Sequence, residues 1–393
     1  MSSVFVLNCG SSSIKFQVVD PKSTEVLFSG IAENMQTKRC VLNWNVKSRK
    51  DRKSLLHSDY QEVIQEIVNI FKQYPVLEKR LIAVGHRIVH GGKELVESII
   101  VNDEVMSQIY KHRHLAPLHN PVNISGIVAM RTVYPQLPQI AVFDTAFHQT
   151  VPKHAYLYAI PYTYYEHHQV RRYGFHGISH RYMTQSVAQA LGKKITEVSI
   201  ISAHLGNGCS VCAISNGQSV DISMGFTPLE GLMMGKRSGD IDPAVVGFLV
   251  KKLRVRTSDI ITMLNDASGL LGVSGISEDL RLVQEAAEDG NQRAVLAIEM
   301  FCYRLAKYVA SYLVPLGLPD ALVFTGGIGE NASFIRSRVI KWLSPMGFMI
   351  EEQLNQQSVT CISPKGKTPR VFVFPTHEEL MIAQDALALV ERA

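Results

Sequence analysis

The sequence predicts an α/β protein built twice on one plan, and three observations carry that expectation. Residues 4–30, opening "VFVLNCGSSSIKFQVVD", read as strand, glycine-serine turn, strand, turn at Asp20-Pro21-Lys22, and strand. Residues 199–225, "SIISAHLGNGCSVCAISNGQSVDISMG", repeat the pattern, with a turn at Gly206-Asn207-Gly208 and an Asn216-Gly217 hairpin signal. After each meander, strands alternate with helical stretches, the mark of an α/β fold. At 393 residues the chain exceeds the size at which one core stops growing, so two domains are expected.

The remaining elements follow in order. "LIAVGHRIVHGG" (81–92) and "QIAVFDTAFHQ" (139–149) are apolar strands running into polar ends. Residues 290–315 repeat apolar side chains at helical spacing through Ala297, Phe301, Leu305 and Val309. "DALVFTGGIGENASFIRSRVIKWL" (320–343) reads as a strand, a glycine loop and a helix, and "PTHEELMIAQDALALVERA" as a final helix. No low-complexity linker separates the halves, so the boundary is expected inside structured chain near 145–150.

Composition narrows the function. Hydrophobic content of 46% and charged content of 19% describe a globular protein with ample core. The net charge of +5 suits anionic small molecules, and the basic residues form no arm or run that would hold nucleic acid. No apolar run reaches the roughly 18 residues of a membrane span, and the N-terminus enters a strand without a signal-peptide pattern. Six cysteines are too few for a disulfide framework at this size. Cys209-x-x-Cys212 has no second pair and is expected to be two reduced thiols on one strand face. A cytoplasmic location is expected.

The first corner holds more hydrogen-bonding capacity than a hairpin needs. Asn8 ends a strand, Gly10 and Ser11 to Ser13 follow, and Lys15 opens the next strand. The Walker loop requires a second glycine and a helix after its lysine, and both are missing. A hairpin corner of this kind can instead form an anion nest from backbone N–H groups and the hydroxyls of Ser11 and Ser13. Asn8 can support magnesium directly or through water. The second meander offers His204, Leu205, Gly206, Asn207 and Gly208, whose glycines allow close backbone approach. The third loop, Gly327, Ile328, Gly329, Glu330 and Asn331, enters a helix. Residues 327–332 also match the dinucleotide fingerprint, with Glu351 near the acidic position after an expected strand; that reading leaves the other two loops unexplained. One nucleotide held between duplicated halves accounts for all three.

The stretches "NCGSSSIKF", "GHRIVHGG", "APLHNP", "AVFDTAFHQT", "YGFHG", "HLGNG", "TPLEGL", "RSGD", "SGLLG" and "FTGGIGEN" resemble the acetate kinase family, in the family's order over nearly the whole chain. The resemblance implies a duplicated ribonuclease-H-like/actin-like ATPase fold with a central active-site cleft. It assigns 1–147 with 380–393 to an acyl-substrate domain and 148–379 to a nucleotide domain. It further implies a homodimer, ATP or ADP as co-substrate, and Mg2+ for which Mn2+ can substitute. The reaction implied is reversible phosphoryl transfer between ATP and acetate, giving acetyl phosphate.

By the same resemblance, Arg87 binds the carboxylate, and Arg237 and His176 stabilise the phosphoryl oxygens in flight. Residue by residue the alternatives are an Arg237–Asp240 ion pair and a satisfied core histidine. Asp144 resembles the family's catalytic acid. A carboxylic acid with a pKa of about 4.3 is already ionised at pH 7, so the acceptor needs no base. Asp144 is therefore expected to hold Arg87 or a metal-bound water. Asn8 and Glu378 resemble the magnesium-associated residues. Lys15, the 204–208 loop, Asp279-Leu280-Arg281 and the 327–331 loop resemble nucleotide contacts, and Val89, Leu118, Phe175 and Pro228 the acyl pocket. Valine at 89 favours acetate over propionate, since the family's propionate kinases tend to carry alanine there. Ile178, Ile222, Lys236 and His377 depart from the family pattern, and Lys236 is expected to add charge near the site. The competing classes are a propionate kinase, a non-catalytic nucleotide switch on the same fold, and a nicotinamide dehydrogenase resting on 327–332.

Overall fold

The computed structural model describes all residues except 1, 11, 12, 36, 38, 39, 48, 56–58 and 118. The chain divides into two units, Met1–Phe147 with His377–Ala393, and His148–Thr376. The return to the first unit falls at His377, where the sequence reading put it at 380.

The first unit holds strands β1 (Ser3–Cys9), β2 (Ser13–Val19), β3 (Val26–Glu33), β4 (Cys40–Val46), β5 (Arg49–Leu55), β6 (Leu81–Ile88), β7 (Ile99–Ile100) and β8 (Gln139–Phe143). They form one sheet in the order β5-β4-β3-β2-β1-β6-β8-β7. The expected three-stranded meander is β1–β3. Strand β1 is buried nearly throughout because both faces of the sheet are covered. On one face Phe5 and Phe28 meet Phe71 of the helix Tyr60–Phe71, with ring centroids 5.4 and 5.2 Å from it, and Phe16 packs against both Phe5 and Phe28. On the other face lies the C-terminal helix Glu378–Val390. It approaches so closely that a Cβ on Gly85 would stand 2.5 Å from Ile382, so this strand position has to be glycine.

The second unit holds β9 (Ile200–Leu205), β10 (Cys209–Ser215), β11 (Gln218–Ile222), β12 (Ala321–Thr325) and β13 (Arg370–Val373), in the order β11-β10-β9-β12-β13. Set beside β3-β2-β1-β6-β8, this is the same plan. The first strand pairs antiparallel with the second and parallel with the fourth, and the fourth pairs parallel with the fifth. The duplication expected from two glycine-cornered meanders is thus present strand for strand. The helix Gln292–Ser311 buries Ala297, Phe301, Leu305 and Val309, the four residues of the expected period, and Asn291 caps it by accepting the N–H groups of Arg293 and Ala294.

Two expectations are corrected. Cys209 and Cys212 are reduced and buried, as are Cys9, Cys40 and Cys302, but an offset of three along β10 puts them on opposite faces of the sheet. Cys209 Sγ donates to the Gly206 carbonyl, while Cys212 Sγ lies 3.3 Å from Ser219 Oγ. Glu351 follows no strand: the chain before it is helix Ser333–Leu343 and a short 3-10 turn. The dinucleotide reading therefore loses its acidic ribose partner. Among the described residues, no helix is long and apolar enough to cross a membrane.

Candidate active site

In the first unit, β1, β6 and β8 run parallel and end along one edge of the sheet, where open α/β sheets place their sites. Asn8 stands near the end of β1, Arg87 near the end of β6, and Asp144 directly after β8. Glu378 opens the C-terminal helix. The Asp144 carboxylate accepts two parallel hydrogen bonds from Arg87, from Nε at 2.9 Å and from Nη2 at 2.7 Å. Nη1 lies 3.5 Å from both Asn8 Oδ1 and Glu378 Oε2. Burial works against the guanidinium charge, yet the carboxylates of Asp144 and Glu378 outweigh it and raise the Arg87 pKa above the ordinary arginine value.

The segment after Arg87 is held by two asparagines at the start of the helix Asn120–Val133, which explains why "APLHNP" belongs with the site. Asn123 accepts the Val89 N–H at 3.1 Å and donates to the Cys9 carbonyl at 2.7 Å. Asn120 accepts the His90 N–H at 3.1 Å and donates to the His90 carbonyl at 2.9 Å. These bonds tie the ends of β1 and β6 together and leave Val89 9% exposed.

In the second unit, His176 is the N-cap of the helix Gly177–Leu191 and has left-handed backbone, φ 58°. Its Nδ1 lies 2.9 Å from Ser210 Oγ, and its ring packs against that of His204 with centroids 4.3 Å apart and planes tilted by 36°. His204 is fixed in turn through Ser179 Oγ at 2.8 Å from its Nδ1. Arg237 does not pair with Asp240, which accepts from the Gly231 N–H and the Tyr308 hydroxyl. Among the described residues, Arg237 has no ion-pair partner, and burial lowers its pKa. Gly208 lies between the two. A Cβ there would stand 3.4 Å from both Arg237 Nη1 and His176 Nε2, so a guanidinium and an imidazole converge on backbone with no side chain in the way. Donors of this kind suit an anion. Lys236 pairs with Asp266 at 3.1 Å, so the charge it adds is compensated.

Beside this lies a cavity of about 710 Å³, large enough for a nucleotide. Of the expected nucleotide contacts, Gly206, Asn207, Asp279, Leu280, Arg281, Gly327, Ile328 and Asn331 line it. Asp279 caps the helix Leu280–Glu288 and pairs with Arg281 at 2.6 Å. Glu278, Gln284 and Phe334 also line the cavity, and no motif pointed to them. His204, Leu205, Gly208, Gly329 and Glu330 lie outside its lining. Glu330 turns inward, where its carboxylate accepts the N–H groups of Gly326 and Thr376.

Lys15 and Ser13 belong to the first unit. Lys15 is exposed on β2 opposite Asn8, and Ser13 closes the corner by accepting the Gly10 N–H at 2.8 Å. Phe175, 1% exposed, and the half-buried Pro228 belong to the second unit. Ser11 and Leu118 lie outside the described residues. Ser179, His180, Ser202 and Ser210, which surround His176 and His204, were not singled out from the sequence; the alternation of β10 outward from Gly208 is the signal that could have marked Ser210.

One sheet plan used twice, with a carboxylate-held guanidinium at strand ends and, in the other unit, a guanidinium and an imidazole beside a nucleotide-sized cavity, defines a phosphotransferase built on a duplicated α/β fold. Residues 3–384 match the acetokinase family, and the chain belongs to that family. It is 46% identical over 394 residues to the acetate kinase of Shewanella amazonensis, covering 99% of both chains, and 47% identical to that of Shewanella frigidimarina, covering 98% of both. Among solved structures, a propionate kinase from Francisella tularensis matches with a TM-score of 0.94 at 45% identity, covering 98% of this chain and 99% of that one. The acetate kinase of Porphyromonas gingivalis matches with a TM-score of 0.93 at 41% identity, covering 99% and 100%.

Proposed function

We propose that this protein transfers the γ-phosphoryl group of ATP reversibly to acetate, giving acetyl phosphate and ADP by direct in-line displacement. The observation that carries the reading is the Arg87 guanidinium. Asp144 occupies its Nε and one Nη2 hydrogen, and Nη1 makes only long 3.5 Å approaches to Asn8 and Glu378, so the Nη1–Nη2 edge is the one a substrate carboxylate would take by displacing them. A nucleotide switch has no use for such a clamp. Because the acceptor is already ionised, catalysis reduces to positioning and charge stabilisation. Arg87 holds the acid, and Arg237 and His176 meet the transferred group. The nucleotide lies along Gly206, Asn207, Asp279 to Arg281 and the 327–331 loop.

Magnesium belongs with the nucleotide. Asn8 and Glu378 place two hard oxygens about one guanidinium nitrogen. Among the described residues there is no group of three or more metal-ligating side chains, so water and phosphate would complete the shell, the usual arrangement for this ion. When bound, it would neutralise charge on the phosphates.

Two further assignments rest on the family with support from the fold. The protein is a homodimer, and the helix Pro243–Leu253, "PAVVGFLVKKL", is the face we assign to the second copy: none of its residues is buried, and Phe248 is 63% exposed. The all-reduced cysteines suit the cytoplasm.

A coupled kinase assay across two- to four-carbon acids tests the reaction. Acetate is expected to have the highest kcat/KM. ATP binding with no hydroxamate formed from acetate, ATP and hydroxylamine would favour the switch.

A further inference from the structure

Behind His176, in the second unit, runs a chain of buried polar side chains whose hydrogen-bond directions can be worked out from one end. Ser202, on β9, is 0% exposed, and its hydroxyl meets a single polar partner among the described residues, His180 Nδ1 at 2.9 Å. A buried hydroxyl hydrogen with no other acceptor is donated there, because leaving it unpaired forfeits its hydration without replacement. His180 Nδ1 is then an acceptor. His180 is itself fully buried; burial, and after it the neighbouring His148 and His204, hold its pKa well below the ordinary histidine value, so the ring is neutral. Its one proton is therefore on Nε2, which lies 2.8 Å from Ser210 Oγ and donates to it. Ser210, having accepted, turns its own hydrogen to His176 Nδ1 at 2.9 Å.

Because its Nδ1 accepts from Ser210, the His176 ring carries its proton on Nε2. That is the nitrogen facing Gly208, next to Arg237 Nη1. The opposite tautomer would aim a lone pair at the same place and repel an anionic oxygen. The tilted ring contact with His204, and the αL backbone of His176 at the helix start, hold the ring in this orientation.

We propose that Ser202, His180 and Ser210 are positioning residues that hold His176 as its Nε2–H tautomer, so that the imidazole meets the transferred phosphoryl group as a hydrogen-bond donor. This deepens the phosphotransferase reading and rests on it. Ser202 and His180 do not touch the reacting atoms; they act through Ser210.

The test uses the full chain labelled with 15N-histidine. In substrate-free wild-type protein, the ring nitrogens of neutral His176, assigned by loss of its signals in His176→Ala, are expected to report the Nε2–H tautomer. Ser210→Ala and Ser202→Ala, each a small deletion at a different point of the chain, are expected to shift that signature towards Nδ1–H. Each should lower kcat about tenfold with the KM for acetate unchanged, less than the roughly 100- to 1000-fold typical of deleting an oxyanion donor outright. In a His176→Ala background, Ser202→Ala should have no further effect on kcat. An Nδ1–H ring in the wild type, or kcat within twofold of wild type in both serine variants, overturns the proposal. The spectra need no substrate. An Nε2–H ring in a protein that phosphorylates no carboxylic acid would leave the tautomer relay standing and remove the reaction.

Discussion

Asp144 grips Arg87 with both carboxylate oxygens, at 2.9 Å to Nε and 2.7 Å to Nη2, and is itself 1% exposed. Asp144→Ala should leave a buried guanidinium uncompensated on that edge. Removing one member of a buried pair costs about 3–5 kcal/mol, and the lost aim of the Nη1 edge should raise the KM for acetate as well as lower kcat. Urea unfolding and steady-state kinetics check the two effects; a change in stability with unaltered kinetics would contradict the clamp.

Gly208 leaves open the space on which Arg237 and His176 converge. In Gly208→Ala the added methyl would stand 3.4 Å from both donors, where the anion is expected. The fold should be undisturbed, with circular dichroism and melting near wild type, while kcat falls at least tenfold, as for a weakened oxyanion site. Arg237→Ala should likewise fall mainly on kcat. Normal turnover in either variant would place the transferred group elsewhere.

Val89 governs acid length in the pocket reading. Shortening it by two methyl groups should raise kcat/KM for propionate relative to acetate by roughly tenfold, because one methylene is worth about 1–3 kcal/mol in such a pocket. An unchanged ratio in Val89→Ala would remove Val89 from the pocket.

Among the described residues, burial favours the neutral form of His86, His90, His148 and His180, and also lowers the pKa of His112, which Glu94 partly offsets. Burial pushes His86 and His148 down to about 4 and His90 to about 3, and His180 lies well below its usual value. Their folded values lie under the unfolded value of about 6.5, so the stability they contribute is complete above pH 6.5 and is lost as pH falls towards 4. The urea midpoint should therefore decline across that window, and His86→Gln should flatten the decline. A midpoint constant from pH 6.5 to 4 would contradict these burials.

The apolar helix Pro243–Leu253 predicts oligomeric state. Phe248→Asp places a charge in the middle of the exposed face and should halve the mass seen by analytical ultracentrifugation, with the monomer remaining folded. A dimer that survives the substitution would put the interface elsewhere.

The glycine corners, the two meanders and the helix at 292–311 were legible because each is a short-range pattern: turn residues at fixed offsets, or apolar side chains at helical spacing. Strand β5, "RKDRKSL", was not. It is an exposed edge strand whose charges discourage further pairing, and it lacks the apolar alternation that marks a strand in sequence. The opposed faces of Cys209 and Cys212 were misread although the offset of three contained the answer. Ser202 and His180 carry no motif, since a buried serine bonded to a histidine 22 residues away has no local signature.

Local chemistry along the chain was enough to mark a duplicated α/β plan and its glycine-cornered loops, while Arg87 was singled out by the family resemblance. The plan and the loops rest on residue types at close spacing, which backbone stereochemistry turns directly into turns and strands. Folding at long range established the rest: that Asp144, 57 residues away, takes two of the hydrogens on Arg87, that Arg237 beside His176 has no ion-pair partner among the described residues, and that Glu330 caps backbone instead of reaching the cavity. Such partnerships depend on which strand ends lie side by side, and that follows from how whole sheets assemble, a property no short window of residues contains.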